Sequence, residues 1–191
     1  MGGMSATSRR AGEESAEAPQ VIFIKLSFTP ICMEINLEEL ARFLVKAKSR
    51  TYAGDGKEIP PQRPGFKELE YVEGNLEYRD SYAGFYFAPG QEIVRLQGRP
   101  VWAMAYSGGM RPEYHGQRDF AKQTFTFLKQ ALSIVEESRP FRGPENFRDG
   151  EWEYTDTSEG DITDFKGTEH ILFQGKEVFR QHYIGGLILP K

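Results

Sequence analysis

Gly90-Gln91-Glu92-Ile93-Val94-Arg95-Leu96-Gln97-Gly98-Arg99-Pro100-Val101-Trp102 lies over Gly167-Thr168-Glu169-His170-Ile171-Leu172-Phe173-Gln174-Gly175-Lys176-Glu177-Val178-Phe179 at a constant offset of 77 residues. The match runs on to Tyr106-Ser107-Gly108-Gly109 against Tyr183-Ile184-Gly185-Gly186. Upstream, at an offset of 76, Glu73-Gly74-Asn75-Leu76-Glu77-Tyr78-Arg79-Asp80-Ser81 faces Asp149-Gly150-Glu151-Trp152-Glu153-Tyr154-Thr155-Asp156-Thr157, and Arg63-Pro64 faces Arg139-Pro140. Phe43 to Ala47 faces Phe127 to Ala131 at an offset of 84. Ordered blocks with small changes of offset mark an internal duplication.

Each unit opens on a helical pattern. Asn36 is a good N-cap for a helix whose apolar positions are Leu37, Leu40, Ala41, Leu44, Val45 and Ala47. The second helix starts near Asp119, with Phe120, Ala121, Thr124, Phe127, Leu128, Ala131, Leu132 and Val135 on one side. Strand signals follow each helix. Leu76-Glu77-Tyr78-Arg79 and Trp152-Glu153-Tyr154-Thr155 alternate, and hairpins flank Gln97-Gly98 and Gln174-Gly175, with loops of two or three residues. The expected fold is α+β: two tandem αβββ repeats, each a helix plus an antiparallel meander, related by a pseudo-twofold and packed as one domain. Repeat one spans 36–110 and repeat two 119–188, within a single domain of 21–191. Val21 to Thr29 reads as an extra strand. Residues 1–20, dominated by Gly, Ser, Ala and Glu, read as a disordered tail.

Bulk numbers fit one ordinary globular domain. Of 191 residues, 39% are hydrophobic, 13% aromatic and 27% charged, with a net charge of −4, which excludes collagen-like, disulfide-rich and wholly disordered classes. The acidic balance argues against direct nucleic-acid binding, and no apolar run reaches membrane-spanning length. A single cysteine, Cys32, forms no internal disulfide, which fits a reducing compartment and a cytoplasmic location. No nucleophile elbow, zinc-binding helix motif, phosphate loop or dinucleotide fingerprint occurs, so no catalytic residue, metal site or cofactor is assigned.

Glu92 and Glu169 share strand parity with apolar neighbours, and Asp80 and Asp156 share parity with Tyr78 and Tyr154. A carboxyl on an apolar face needs a partner or a raised pKa. Three readings stay open: acceptors for loop N–H groups, a pair of carboxylates meeting between the units, or solvent exposure. The shared glycines read most simply as turn residues. Positions that differ between the units are better functional candidates. The first unit has a longer Gly- and Pro-rich loop over 51–65, carrying Tyr52 and Arg63, and a denser set of aromatics.

The series Ala47-Lys48-Ser49-Arg50-Thr51-Tyr52, Arg63-Pro64-Gly65, Leu69-Glu70-Tyr71, Tyr78-Arg79-Asp80-Ser81-Tyr82, Val101-Trp102-x-Met104-x-Tyr106-x-Gly108 and Arg142-Gly143-Pro144 resembles a prokaryotic domain of unknown function. That domain is often found C-terminal to XRE-type helix-turn-helix regulators. The resemblance covers about residues 36–188. It implies a bacterial or archaeal origin and a sensing role, with this chain standing alone, because its first 20 residues do not suit a helix-turn-helix.

The expected function is a cytoplasmic small-ligand-binding or sensing domain that uses the aromatic face and the 51–65 loop of repeat one. The expected contacts are Arg63, Tyr71, Tyr78, Asp80, Tyr82, Glu92, Trp102 and Tyr106. One alternative is a small-molecule enzyme using Asp80, Glu92 or Glu169. The other is a protein-interaction or homodimerising module using sheet edges or Phe85-Tyr86-Phe87.

Overall fold

A computed structural model describes residues 1–2 and 35–189. The chain divides into two units, Met1–Met33 and Glu34–Lys191. The tail expected at 1–20 (beyond residues 1–2), the strand expected at 21–29, and Cys32 lie outside the described residues.

The second unit opens with helix α1 (Leu37–Arg50). The Asn36 side chain accepts hydrogen bonds from the backbone N–H of Glu38 (2.9 Å) and Glu39 (3.1 Å), so the N-cap reading is met. Strands β1 (Lys67–Glu73), β2 (Leu76–Tyr82), β3 (Gly90–Leu96) and β4 (Arg99–Met110) follow. Helix α2 (Arg118–Leu132) then leads to β5 (Asn146–Asp149), β6 (Trp152–Asp161), β7 (Asp164–Phe173) and β8 (Lys176–Leu187). All eight strands form one antiparallel sheet in the order β1-β2-β3-β4-β8-β7-β6-β5.

This overturns the expected α+β architecture of two tandem αβββ units. Among the described residues 46% are strand and 20% helix, so one sheet dominates and two short helices lie on it. Two physical reasons account for the difference. First, each half holds a strand that the sequence pattern hid. β1 reads Lys-Glu-Leu-Glu-Tyr-Val-Glu, rich in a residue depleted from strands, and β5 has only four residues. Second, the two meanders do not end on separate edges. β4 and β8 pair over their length, so the backbone groups that two free edges would leave exposed are satisfied within one ladder.

The hairpin turns fix the register that sequence left open. Gln97 and Gly98 (φ 52° and 77°) and Gln174 and Gly175 (φ 51° and 72°) have positive φ at both central positions, the signature of a two-residue type I′ turn. Leu96 therefore pairs with Arg99, and Phe173 with Lys176.

Strand side chains alternate between faces. Leu76, Tyr78, Val94, Trp102, Met104 and Tyr106 line the helix-covered face, where they pack with Leu40, Phe43 and Leu44 of α1. Tyr154, Ile171, Val178 and Phe179 do the same with Phe127, Leu128 and Ala131 near α2. Parity puts Asp80, Glu92, Asp156 and Glu169 on this buried face as well.

Candidate functional site

Four carboxyls on an apolar face demand compensation, and long-range cations supply it. Asp80 pairs with Glu92 across β2 and β3, and Asp156 pairs with Glu169 across β6 and β7. Lys48 of α1, itself buried, donates to Glu92. Arg142, in the segment between α2 and β5 and only 8% exposed, donates to Glu169 Oε1 through Nε (3.1 Å) and Nη2 (2.7 Å). Its Nη1 also lies 3.6 Å from Glu92. Glu169 accepts further bonds from the Tyr154 hydroxyl (2.8 Å) and Gln181 Nε2 (3.1 Å). Of the three readings of Glu92 and Glu169, solvent exposure is excluded by their burial, and the two carboxylates do meet between the halves, through a shared cation rather than directly. One guanidinium sits between them and ties β3 to β7.

Electrostatics follow from this burial. Burial works against the Arg142 charge, but Glu169 and then Glu92 hold its pKa well above the ordinary arginine value. Lys48 goes the other way: burial lowers its pKa, with Glu92 opposing. The Asp80 carboxyl is pushed up to about 7, first by burial and then by the Glu92 charge, against the Tyr106 hydrogen bond and Arg142. Asp156 is also raised to about 7, by burial and then Glu169, although Arg139 and Tyr183 pull it down.

The two aspartates differ in their partners. Asp156 accepts two contacts from the Tyr183 hydroxyl (2.9 and 3.0 Å) and one from Arg139 Nη2 (2.8 Å). Asp80 accepts one, on Oδ1, from the Tyr106 hydroxyl (2.6 Å). Its Oδ2 has no hydrogen-bond partner among the described residues, although Asp80 is only 4% exposed. Arg63 stands 17 residues before Asp80, as Arg139 stands 17 before Asp156. Yet Arg63 donates to Ser81 Oγ (2.7 Å) on the opposite face and stacks on Phe66. The longer loop of the first half carries it there: Ile59 bridges Glu68 at the outer edge of β1.

A cavity of about 110 Å³ lies where that missing partner would stand. Asp80, Tyr106, Arg142 and Gln181 supply its polar wall, and Tyr52, Tyr82, Phe85, Phe125 and Leu128 its apolar wall. Tyr52 and Tyr82 meet edge to face at 6.1 Å, as do Phe85 and Phe125 at 5.5 Å. A void of about 20 Å³ continues past Asp80 toward Lys48 and Glu92. A wider open groove of about 1010 Å³ runs beside α1 and β6, but of the two aspartates lining it Asp156 is bonded to Arg139 and Tyr183, and Asp161 accepts from Thr163.

Gly90 and Gly167 are strand residues rather than the turn residues expected. They face Tyr106 and Tyr183 across the ladder, and each tyrosine ring occupies the space of the missing Cβ. Gly90→Ala therefore pushes Tyr106 off Asp80 and is expected to cost about 1–3 kcal/mol. Urea denaturation checks this, and the cost should largely vanish in a Tyr106→Ala background if displacement of that ring is the cause.

Of the expected contact residues, Asp80, Tyr82 and Tyr106 line the cavity and Glu92 lies just behind it. Tyr78 and Trp102 are sealed in the core. Tyr71 packs on Phe43 and donates to Glu73 (2.6 Å), away from the cavity, and Arg63 is on the other face. Sequence reasoning did not place Arg142, Gln181, Phe125 or Lys48 at a site. Their contacts are all distant in sequence, and only Tyr52, in the long loop, carried a readable signal. Phe85 and Tyr86 of the expected interaction patch pack against Phe125 and His115, leaving Phe87 54% exposed.

Among the described residues no group of three or more His, Cys, Asp or Glu is placed to hold a metal ion. No helix among them is long and apolar enough to cross a membrane. No curated protein and no solved structure matches the chain. A family model does match, over a stretch that begins at Asp80 and takes in Tyr106, Arg142, Glu169 and Gln181 but leaves out α1 and β1. That model, described as Domain of unknown function (DUF5680), covers residues 80–188, more than half of the chain, and the protein belongs to this family.

Proposed function

We propose that the domain binds a compact small molecule in the cavity between Tyr52, Asp80, Tyr82, Phe125 and Arg142. The observation that carries this reading is an Asp80 carboxyl oxygen that has no partner among the described residues, beside an aromatic-walled space of about 110 Å³. Ligand sites are typically apolar clefts with a few fixed polar groups, and a space of about 150 Å³ accommodates benzene. This cavity has that character and is somewhat smaller, which limits the ligand to about one ring. The resemblance to domains that follow XRE-type helix-turn-helix segments supports a sensing role in a prokaryotic cytoplasm.

Ala88 lines the cavity without touching the charge cluster. Ala88→Leu is expected to fill the space and leave the fold intact. In a screen of single-ring fragments by ligand-observed NMR, fragments should bind the wild type and lose at least about tenfold affinity with Ala88→Leu. Equal binding to both proteins, or to neither, contradicts the reading.

One observation favours a second reading. A carboxyl raised to about 7 is matched to proton transfer near neutral pH, so Asp80 would serve as general base or acid in a small-molecule enzyme. Glu92 and Glu169, expected beside it, are committed to Lys48 and Arg142. Turnover of a bound fragment, abolished by Asp80→Asn while binding persists, would select this reading over simple binding.

A further inference from the structure

We propose that the cavity takes a small organic cation, a ring-sized ammonium or amidinium, whose N–H groups pair with the free oxygen of Asp80. The inference rests on the cavity's being a ligand site and adds the charge of its ligand. Three observations carry it.

The first is charge balance. The buried cluster around the cavity holds two cations, Lys48 and Arg142, against three carboxyls, Asp80, Glu92 and Glu169. With Asp80 ionised the cluster is short of one positive charge. Buried charges are stable only when paired, so either a proton or a bound cation must complete it.

The second is the protein's own example. In the second half the equivalent carboxyl, Asp156, receives a guanidinium N–H from Arg139 at 2.8 Å. In the first half the corresponding Arg63 is drawn away to Ser81, and the space beside Asp80 is open. A ligand amidinium or ammonium would supply the donor that Arg63 does not.

The third is the wall. Tyr52, Tyr82, Phe85 and Phe125 line the cavity, and aromatic rings attract cations when water is excluded. The protein uses this attraction nearby: Lys129 lies over the Tyr52 ring at 5.1 Å and Arg118 over Phe85 at 4.8 Å.

Binding is then linked to pH, because ligand and proton compete for one oxygen. The groups facing Asp80 are Tyr106 on β4, Glu92 on β3, Lys48 on α1, Tyr52 after α1, Tyr82 on its own strand and Arg142 before β5. Glu169 and Gln181 stand behind Arg142, and Lys67 of β1 lies at the mouth, paired with Glu58 at 3.0 Å. None of the other groups supplies Asp80 with a second hydrogen bond. Asp80, raised to about 7, is the group that exchanges its proton for the ligand.

Benzamidinium and neutral benzyl alcohol, titrated into the full chain by calorimetry, test the proposal. Benzamidinium keeps its charge across the range. It should bind at least about tenfold more tightly than benzyl alcohol above neutrality, and its affinity should rise about tenfold from roughly pH 6 to pH 8, then level. Asp80→Asn keeps an acceptor oxygen for Tyr106, and its fold is verified by circular dichroism; it should abolish both the preference and the pH dependence. If the two probes bind equally, the cationic class is wrong and the cavity reading survives. If neither binds, both readings fail. Benzamidinium binding that is insensitive to pH, or unchanged in Asp80→Asn, also overturns the proposal.

Discussion

Replacing Arg142 with alanine is expected to cost about 3–5 kcal/mol of folding stability. The reason is what the change leaves behind. Glu169 is 0% exposed and loses two of its four hydrogen bonds, both from Arg142. Glu92 loses the guanidinium 3.6 Å away and keeps only Lys48, whose own charge burial disfavours. Breaking a buried ion pair by removing one member strands the other, which costs far more than the pair contributed. A domain's whole stability is about 5–15 kcal/mol, so the variant is expected to be marginal at room temperature. Urea denaturation measures the cost. Arg142→Lys should fall between, because an ammonium keeps the charge but does not span both carboxylates as the planar guanidinium does. The double variant Arg142→Ala with Glu169→Gln should recover part of the loss by removing the stranded charge. A cost below about 1 kcal/mol, the scale of an exposed pair, would show that Arg142 is solvated rather than buried between the strands.

Asp80→Asn is expected to work in the opposite direction at alkaline pH. The ordinary aspartate value is 3.8, and the folded protein holds Asp80 at about 7. Below the unfolded value both states carry the proton, and the full stability is present. Between roughly pH 4 and 7 the folded state binds more protons than the unfolded one, so Asp80 makes stability fall as pH rises. Above about 7 the loss is complete, at most about 4 kcal/mol by the linkage of one pKa unit to 1.4 kcal/mol. Asparagine carries no such penalty. Asp80→Asn should match the wild type near pH 4 and exceed it by up to about that amount near pH 8. Glu73, Glu177 and Asp161 are held below their usual values by side-chain hydrogen bonds, which stabilises the fold as pH rises. The difference between variant and wild type removes their common contribution. A variant less stable than the wild type at pH 8 would mean that the Asp80 charge is already compensated, and would remove the reason for expecting a cationic ligand.

Much of the local structure was legible because its causes are local. The Asn36 cap, both helices, the Gln-Gly turns and the inward parity of Asp80 and Glu92 follow from neighbouring residues. The fold class did not follow, because it depends on edges. β1 hides under glutamates, two of which, Glu68 and Glu70, pair with Arg79 from the next strand, and nothing local announces that β4 will pair with β8. The site divides in the same way. Asp80 is legible from its parity with Tyr78, and Tyr82 and Tyr106 from the dense aromatics of the first half. Arg142 stands in an irregular segment 50 residues from Glu92 and 27 from Glu169, and no spacing rule reaches so far. Arg63 was expected at the site as part of the long 51–65 loop, but that loop runs along the outer edge of β1 and carries it to Ser81.

The distinctive claim is that Asp80 is a buried carboxyl short of one partner, where its counterpart Asp156 has an arginine. Titration of the Asp80 side-chain carboxyl carbon by NMR, assigned through Asp80→Asn, measures it most directly. The expected midpoint is about 7 in the unliganded protein. Under saturating benzamidinium the midpoint should move down, as the cation takes the place of the proton. A midpoint near the ordinary 3.8 without ligand would show a solvated, satisfied carboxylate and would contradict the account of the site.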